Sequence, residues 1–194
     1  MKEKFLNNCI SFVKSNNIEI QEEKLRYGLE GIYLNVIKFL IIFPLALLLG
    51  IFKEFILTLI FFNIIRYPAF GIHANKSSTC LFSSLFILVG IPLLMSRVTI
   101  TLSAKIIICI ITFICFMLYA PADTVKRPLT NKKKRVLRKI ATCIIAIIYS
   151  IIIVIFNNNE ISIYLLSGMV IETILILPIT YKIYGMPYKN YLMV

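Results

Sequence analysis

A chain of 194 residues that is 59% hydrophobic and 15% charged, with a mean hydropathy of +0.89, is too apolar to be solvated by water, since soluble domains run about 45–50% apolar and roughly 25% charged. Its net charge of +12 would direct a soluble protein to nucleic acid, but here the excess cations flank apolar runs, as in loops lying against a membrane. The five cysteines are odd in number and lack paired spacing, which argues against a disulfide framework.

In chain order, the first 30 residues lack a compact apolar core before small residues, so no cleavable signal is expected. Residues 3–16 predict a short amphipathic helix on the membrane surface, with Phe5, Leu6, Cys9, Phe12 and Val13 as its apolar stripe. Glu19, Glu22, Glu23, Lys24 and Arg26 form a polar lead-in. Six apolar runs follow, near 29–52, 55–67, 79–96, 98–119, 140–156 and 161–181. A membrane span needs roughly 20 residues, so the second run is short and a re-entrant or half-buried helix is its alternative. Pro44, Pro92 and Pro178 fall inside runs one, three and six, and Pro44 is expected to kink its helix.

With a cytoplasmic N-terminus and six crossings, 17 of the 21 Lys and Arg fall on inside segments, two (Lys53, Arg97) outside, and Lys38 and Lys105 within helices. That asymmetry is a strong positive-inside signal. The predicted fold is all-α: one polytopic integral membrane domain over 1–194. It comprises a cytoplasmic amphipathic helix and lead-in (1–27), transmembrane helices (28–181) and a cytoplasmic tail (182–194).

Residues 66–80, Arg66-Tyr-Pro-Ala-Phe-Gly71-Ile-His73-Ala-Asn-Lys-Ser-Ser78-Thr-Cys80, hold the chain's single histidine on the predicted cytoplasmic face. A histidine and a cysteine can act as general base and nucleophile. On one straight helix, seven residues would separate them by about 10.5 Å, so the segment between must bend. Asn75, Ser77 and Ser78 favour such turns and helix starts. If Ser77 caps run three, Cys80 falls in its first turn, where the helix N-terminus lowers a thiol pKa. Unperturbed, only about 3% of a thiol is ionised at pH 7. The bland alternative is a solvated interfacial histidine and a filler cysteine.

The second informative stretch is Tyr119-Ala-Pro-Ala-Asp123-Thr, followed by Lys126, Arg127, Pro128 and then Lys132, Lys133, Lys134 and Arg135, read as an extended basic loop. Such a cluster attracts anionic lipid or an acidic peptide, or serves only as a topology determinant. Asp123, the loop's one carboxylate, could orient an imidazole, cap a turn or pair with Lys126. Glu172 lies mid-run, where a charge is a functional hypothesis by default. Lys38 is expected to snorkel or to pair with Glu172 or Glu30.

Taken together, the Arg66…Gly-Ile-His-Ala…Ser-Ser-Thr-Cys80 block, the Tyr-Ala-Pro-Ala-Asp-Thr block and the basic run resemble the AgrB family (accessory gene regulator protein B) over essentially the whole chain. The resemblance implies a membrane cysteine endopeptidase of Gram-positive quorum sensing. Such an enzyme cleaves the C-terminal tail from an autoinducing-peptide propeptide and yields a thiolactone or lactone macrocycle. It maps the nucleophile to Cys80 and the general base to His73, with Arg66 and Gly71 in support. Ser78 to Cys80 amides or Arg66 are candidate oxyanion donors. The implied partner is a short propeptide with an amphipathic leader and an acidic C-terminal tail, held near the site by the basic run. A homodimer in the bacterial plasma membrane is also implied, with both termini and the active site cytoplasmic. No cofactor, metal or nucleic acid is expected, since one His and scattered Cys make no ligand set. The rival readings are a small transporter or channel component using Glu172 and Lys38, and an acyltransferase using Cys80.

Overall fold

The computed structural model describes residues 2–15, 22–72, 77–125 and 128–192, leaving aside the side chains of Glu23, Lys24, Tyr27, Ser77, Ser78 and Cys80. Apart from isolated bridges, one of them between Phe70 and Ala122, regular structure in these residues is helical. The chain divides into two compact units, Met1–Leu48 and Leu49–Val194.

In the first unit, α1 (Lys2–Ser15) packs on α2 (Glu22–Leu48). The buried face of α1 is Leu6 and Ile10, while Phe5 and Phe12 of the expected stripe stay exposed. Lys2 Nζ meets Glu30 at 2.7 Å and Arg26 pairs with Glu3. Gly28–Leu48, within α2, is long and apolar enough to cross a membrane, and the helix continues through Pro44.

The second unit contains α3 (Phe52–Ala69), α4 (Ser77–Leu85), a π-helical turn (Phe86–Gly90), α5 (Ile91–Arg97), α6 (Leu102–Tyr119), α7 (Lys132–Ile155), α8 (Glu160–Ile176), α9 (Pro178–Ile183) and a short 3-10 turn (Asn190–Leu192). Two of its helices, α6 and α7, are long and apolar enough to span, and Leu81–Arg97 is a shorter apolar helix. The six expected runs thus divide into three long candidate spans, counting α2, and helices that are shorter or more charged.

Three boundaries differ from the sequence expectation, each for a local reason. Run three bends through a π turn because Pro92 has no N–H and its ring crowds the carbonyl four residues earlier; the widened turn before it absorbs both. Run six stops at Ile176 because Pro178 forces Leu177 into extended backbone (φ −63°, ψ 137°). The basic run 132–139 is not an extended loop but the start of α7. Lys and Arg are good helix formers, and the Asn131 side chain accepts the Lys134 amide at 3.2 Å as an N-cap.

At the centre lies α8, buried on almost every side through Leu165, Leu166, Met169, Ile171 and Ile176. Helix α3 runs alongside it in the same direction: Lys53 pairs with Glu160 at one end (2.6 Å) and Arg66 with Glu172 at the other (3.2 Å). Between those ties, Gly168 lets the backbones meet, since a Cβ there would fall 3.0 Å from Phe62 N. Tyr149 of α7 donates to Phe61 O at 3.0 Å. Helix α3 is continuous over 18 residues. On the outer faces of α6 and α7, Ile107, Ile111, Ile114, Ile140, Ile144 and Ile151 are about half exposed, a surface suited to acyl chains rather than water.

The unit's two ends differ in charge. One carries the Lys53–Glu160 pair and Lys105, whose Nζ donates to Asn157 O (2.7 Å) and Ser162 Oγ (2.8 Å). Hydrogen bonding to each other holds the Glu160 carboxyl below its ordinary range and the Lys53 ammonium above its own. The tie therefore weakens only as pH falls through the lowered carboxyl value or rises through the raised ammonium value. The opposite end carries Arg66, Lys132 to Arg135, Arg138, Lys139, Lys182 and Lys189, and is strongly basic.

Candidate active site

At the basic end, three distant segments converge on the residues just before His73. The first is the end of α3. Phe70 (φ 65°) and Gly71 (φ 107°) both leave the usual backbone regions and turn the chain sharply. The turn is held from outside: Gly71 N donates to Ala122 O (2.9 Å), Ala122 N to Ala69 O (2.9 Å) and Ile72 N to Leu175 O (3.1 Å). Leu175 offers its carbonyl because it lies in the last turn of α8, where the intrahelical acceptor role ends. The break at Pro178 thereby creates the dock for Ile72.

Arg66 ties this turn to α8. Its Nη1 donates to Glu172 Oε2 (3.2 Å), its Nη2 to Ile72 O (2.9 Å), and its guanidinium lies 5.4 Å from the Phe62 ring. Glu172 is fully buried. Glu172 thus pairs with Arg66, and Glu30 with Lys2. Arg138 of α7 closes the other side, donating to Tyr67 O at 2.9 Å with its guanidinium 4.3 Å from the Phe70 ring. A cation on the last carbonyls of a helix is a favourable cap.

Gly71 is required twice over. A side chain there would be strained at φ 107°, and its Cβ would sit 2.9 Å from Arg66 Nη1 and 3.3 Å from Glu172 Oε1. Gly71→Ala is expected to lower stability by about 1–3 kcal/mol from backbone strain, measured by thermal unfolding in detergent. An unchanged melting temperature would contradict this account of the turn.

The Ala-Pro-Ala-Asp loop is the second segment. Asp123 is buried, and its carboxylate accepts two backbone amides, Asn190 N on Oδ1 (3.0 Å) and Leu129 N on Oδ2 (3.1 Å). Both donors are backbone amides, as in the capping of a turn. The third segment is the C-terminal region. Tyr181 OH lies 3.0 Å from both the Ala122 and Asp123 carbonyls, and Asn190 Nδ2 donates to Asp123 O at 3.1 Å. Tyr181, Asn190, Arg138 and Leu175 were not singled out from sequence. Only Arg138 carried a signal there, as part of the basic run.

His73, Lys126 and Arg127 lie outside the described residues, as do the side chains of Ser78 and Cys80. The backbone of α4 begins at Ser77, so Ser78 and Cys80 are the second and fourth residues of its first turn. Lys132, Lys133 and Lys134 are exposed on the first turn of α7. Arg135 stacks on the Tyr191 ring at 3.8 Å. The described thiols of Cys9, Cys109, Cys115 and Cys143 are free.

The sequence that builds this turn and the helices around it has clear relatives. The profile of the family described as Accessory gene regulator B matches residues 6–176. The chain belongs to the AgrB family. It is 35% identical over 172 residues to an AgrB-like protein of Clostridium acetobutylicum, covering 87% of this chain and 80% of that one. It is 31% identical over 169 residues to accessory gene regulator protein B of Staphylococcus aureus, covering 86% and 88%. An AgrB-like protein of Listeria monocytogenes is 31% identical over 170 residues, covering 87% and 82%. No solved structure matches. AgrB membership and helices fit to span agree on a membrane protein, and the family implies a peptidase of autoinducing-peptide maturation.

Proposed function

We propose that this AgrB protein is a membrane cysteine endopeptidase that removes the C-terminal tail of an autoinducing-peptide propeptide and leaves the remainder poised to cyclise. The observation that carries the reading is the turn Ala69–Ile72. It is anchored by Arg66, Ala122 and Leu175 and delivers the chain directly to His73. A general base needs such a fixed approach, because catalysis depends on placement to within fractions of an ångström.

In this mechanism His73 takes the proton of the Cys80 thiol. The thiolate attacks the carbonyl at the cleavage point, and the tetrahedral oxyanion forms. Arg66 is held by Glu172 and Ile72 O, so the oxyanion falls to backbone amides in the first turn of α4, which have no intrahelical acceptor. Collapse expels the tail's amine with the proton from His73 and leaves the peptide as a thioester on Cys80. A cysteine or serine within the peptide then attacks the thioester, releasing the Cys80 thiolate and a thiolactone or lactone ring. Making a thioester from an amide is uphill, so forward flux depends on ring closure and on loss of the tail. Asp123 supports the site by holding the loop that anchors Gly71. The positive-inside rule supports a cytoplasmic placement of this basic end, where Lys132 to Lys134, and Lys126 and Arg127, would steer an acidic tail.

Intact mass spectrometry of the protein in lipid vesicles with its cognate propeptide tests the proposal. The expected result is an adduct equal to the propeptide minus its tail, present on the native protein and absent from Cys80→Ala. Tail release without any such adduct would remove the thioester step; neither adduct nor released tail would favour a transport role.

A further inference from the structure

A cleft of about 260 Å³ lies at the basic end, between the end of α6, the start of α7 and the C-terminal tail. Among the described residues, three cations line it: Arg135, Lys139 and Lys189. The carboxylate among these lining residues is Asp123, whose oxygens already accept the amides of Leu129 and Asn190. Three tyrosines, Tyr119, Tyr188 and Tyr191, complete the polar wall. Burial pushes the Tyr188 hydroxyl up to about 12, so that phenol stays neutral at physiological pH. The Arg135 guanidinium lies over the Tyr191 ring, 3.8 Å from its centroid, and a guanidinium held on an aromatic face can still offer its N–H edges to an oxyanion.

The opposite wall is apolar and does not end at the cleft. Leu118 and Val136 line it and are themselves exposed. From Leu118 the exposed stripe continues along α6 through Ile114, Ile111 and Ile107, and from Val136 along α7 through Ile140 and Ile144. Both follow helical spacing, and both lie on the helices that are long and apolar enough to span. A soluble acidic peptide would use the cations and leave this wall idle. A cationic, tyrosine-lined mouth at the interface, opening on an apolar track into the bilayer, matches an amphiphile.

We infer that this cleft binds an anionic phospholipid, with the headgroup phosphate among Arg135, Lys139 and Lys189 and the acyl chains on the Leu118 and Val136 stripes. The inference rests on the membrane placement of α6 and α7 and is independent of the peptidase reading. It also differs from diffuse attraction of lipid to the basic run, because Lys132 to Lys134 do not line the cleft.

Native mass spectrometry of the detergent-solubilised full chain, titrated with phosphatidylglycerol or phosphatidylcholine of equal chain length, tests it. The native protein should retain phosphatidylglycerol in preference to phosphatidylcholine. Lys139→Gln with Lys189→Gln should weaken phosphatidylglycerol about fivefold for each charge removed. Lys132→Gln with Lys133→Gln, which removes equal charge outside the cleft, should change it far less. Leu118→Ser with Val136→Ser should weaken the lipid while sparing any binding of glycerol phosphate. Equal retention of the two lipids, or equal effects of the two lysine pairs, would overturn the inference. Competition by glycerol phosphate as effective as by the lipid would make the cleft a free-phosphate site. Displacement of the lipid by a soluble acidic peptide, with Leu118 and Val136 indifferent, would make it a peptide site. The competition arms use the native protein, so they decide the question even where a variant fails to fold.

Discussion

Arg66→Ala is expected to destabilise the second unit by about 3–5 kcal/mol, the scale for stranding one member of a buried ion pair. Glu172 is fully buried, and Arg66 is its hydrogen-bond partner among the described residues. Replacing both residues with methionine should return stability close to the native value, because an apolar pair of similar volume needs no mutual solvation. It should not return activity, because Ile72 O would still lack the Arg66 Nη2 that holds it. The measurement pairs unfolding in detergent with tail release in vesicles. If Arg66→Ala proved as stable as the native protein, the pair would not be a buried tie. If the double variant processed peptide normally, the anchoring of Ile72 would have no part in the chemistry.

The second large effect lies at the reacting groups. Cys80→Ala and His73→Ala are each expected to cut tail release by roughly 10⁴–10⁶, the range seen when members of a hydrolytic catalytic unit are removed. Combining them should cost little more than either alone, because residues acting as one unit are not additive. Alanine at Cys109 should leave processing intact, since that thiol is buried in α6 away from the turn. A kinetic assay of tail release checks all four proteins. Normal processing by Cys80→Ala, with loss in Cys109→Ala, would move the nucleophile and end the present mechanism.

Much of this architecture was legible because hydrophobic runs report spans directly, and the Lys and Arg bias separates the two ends. Breaks were harder to place. Pro178 was visible, but that its break would free the Leu175 carbonyl for Ile72, a hundred residues earlier in the chain, is a tertiary fact. The helical start of α7 was readable in principle, from Asn131 ahead of a lysine run with high helix propensity, yet high charge density suggested a loop. The partnership of Arg66 with Glu172 had a faint trace in the sequence. Lys53 and Arg66 sit thirteen residues apart and Glu160 and Glu172 twelve, as two parallel helices tied at both ends require. Asp123 was readable as important, but its choice between imidazole, turn and lysine depends on which amides fold over it. The His73 and Cys80 assignment comes from the motif, and the structure contributes the frame that leads to it.

The docking of Ile72 on Leu175 also orders events in time. During translation, residues 66–80 emerge long before α8 does, and so before Glu172 and Leu175 exist to receive them. A nascent chain stopped short of the last helices therefore has a candidate nucleophile and base but no frame to align them. On the proposed mechanism, peptide processing would stay latent on the ribosome until the C-terminal third has been inserted.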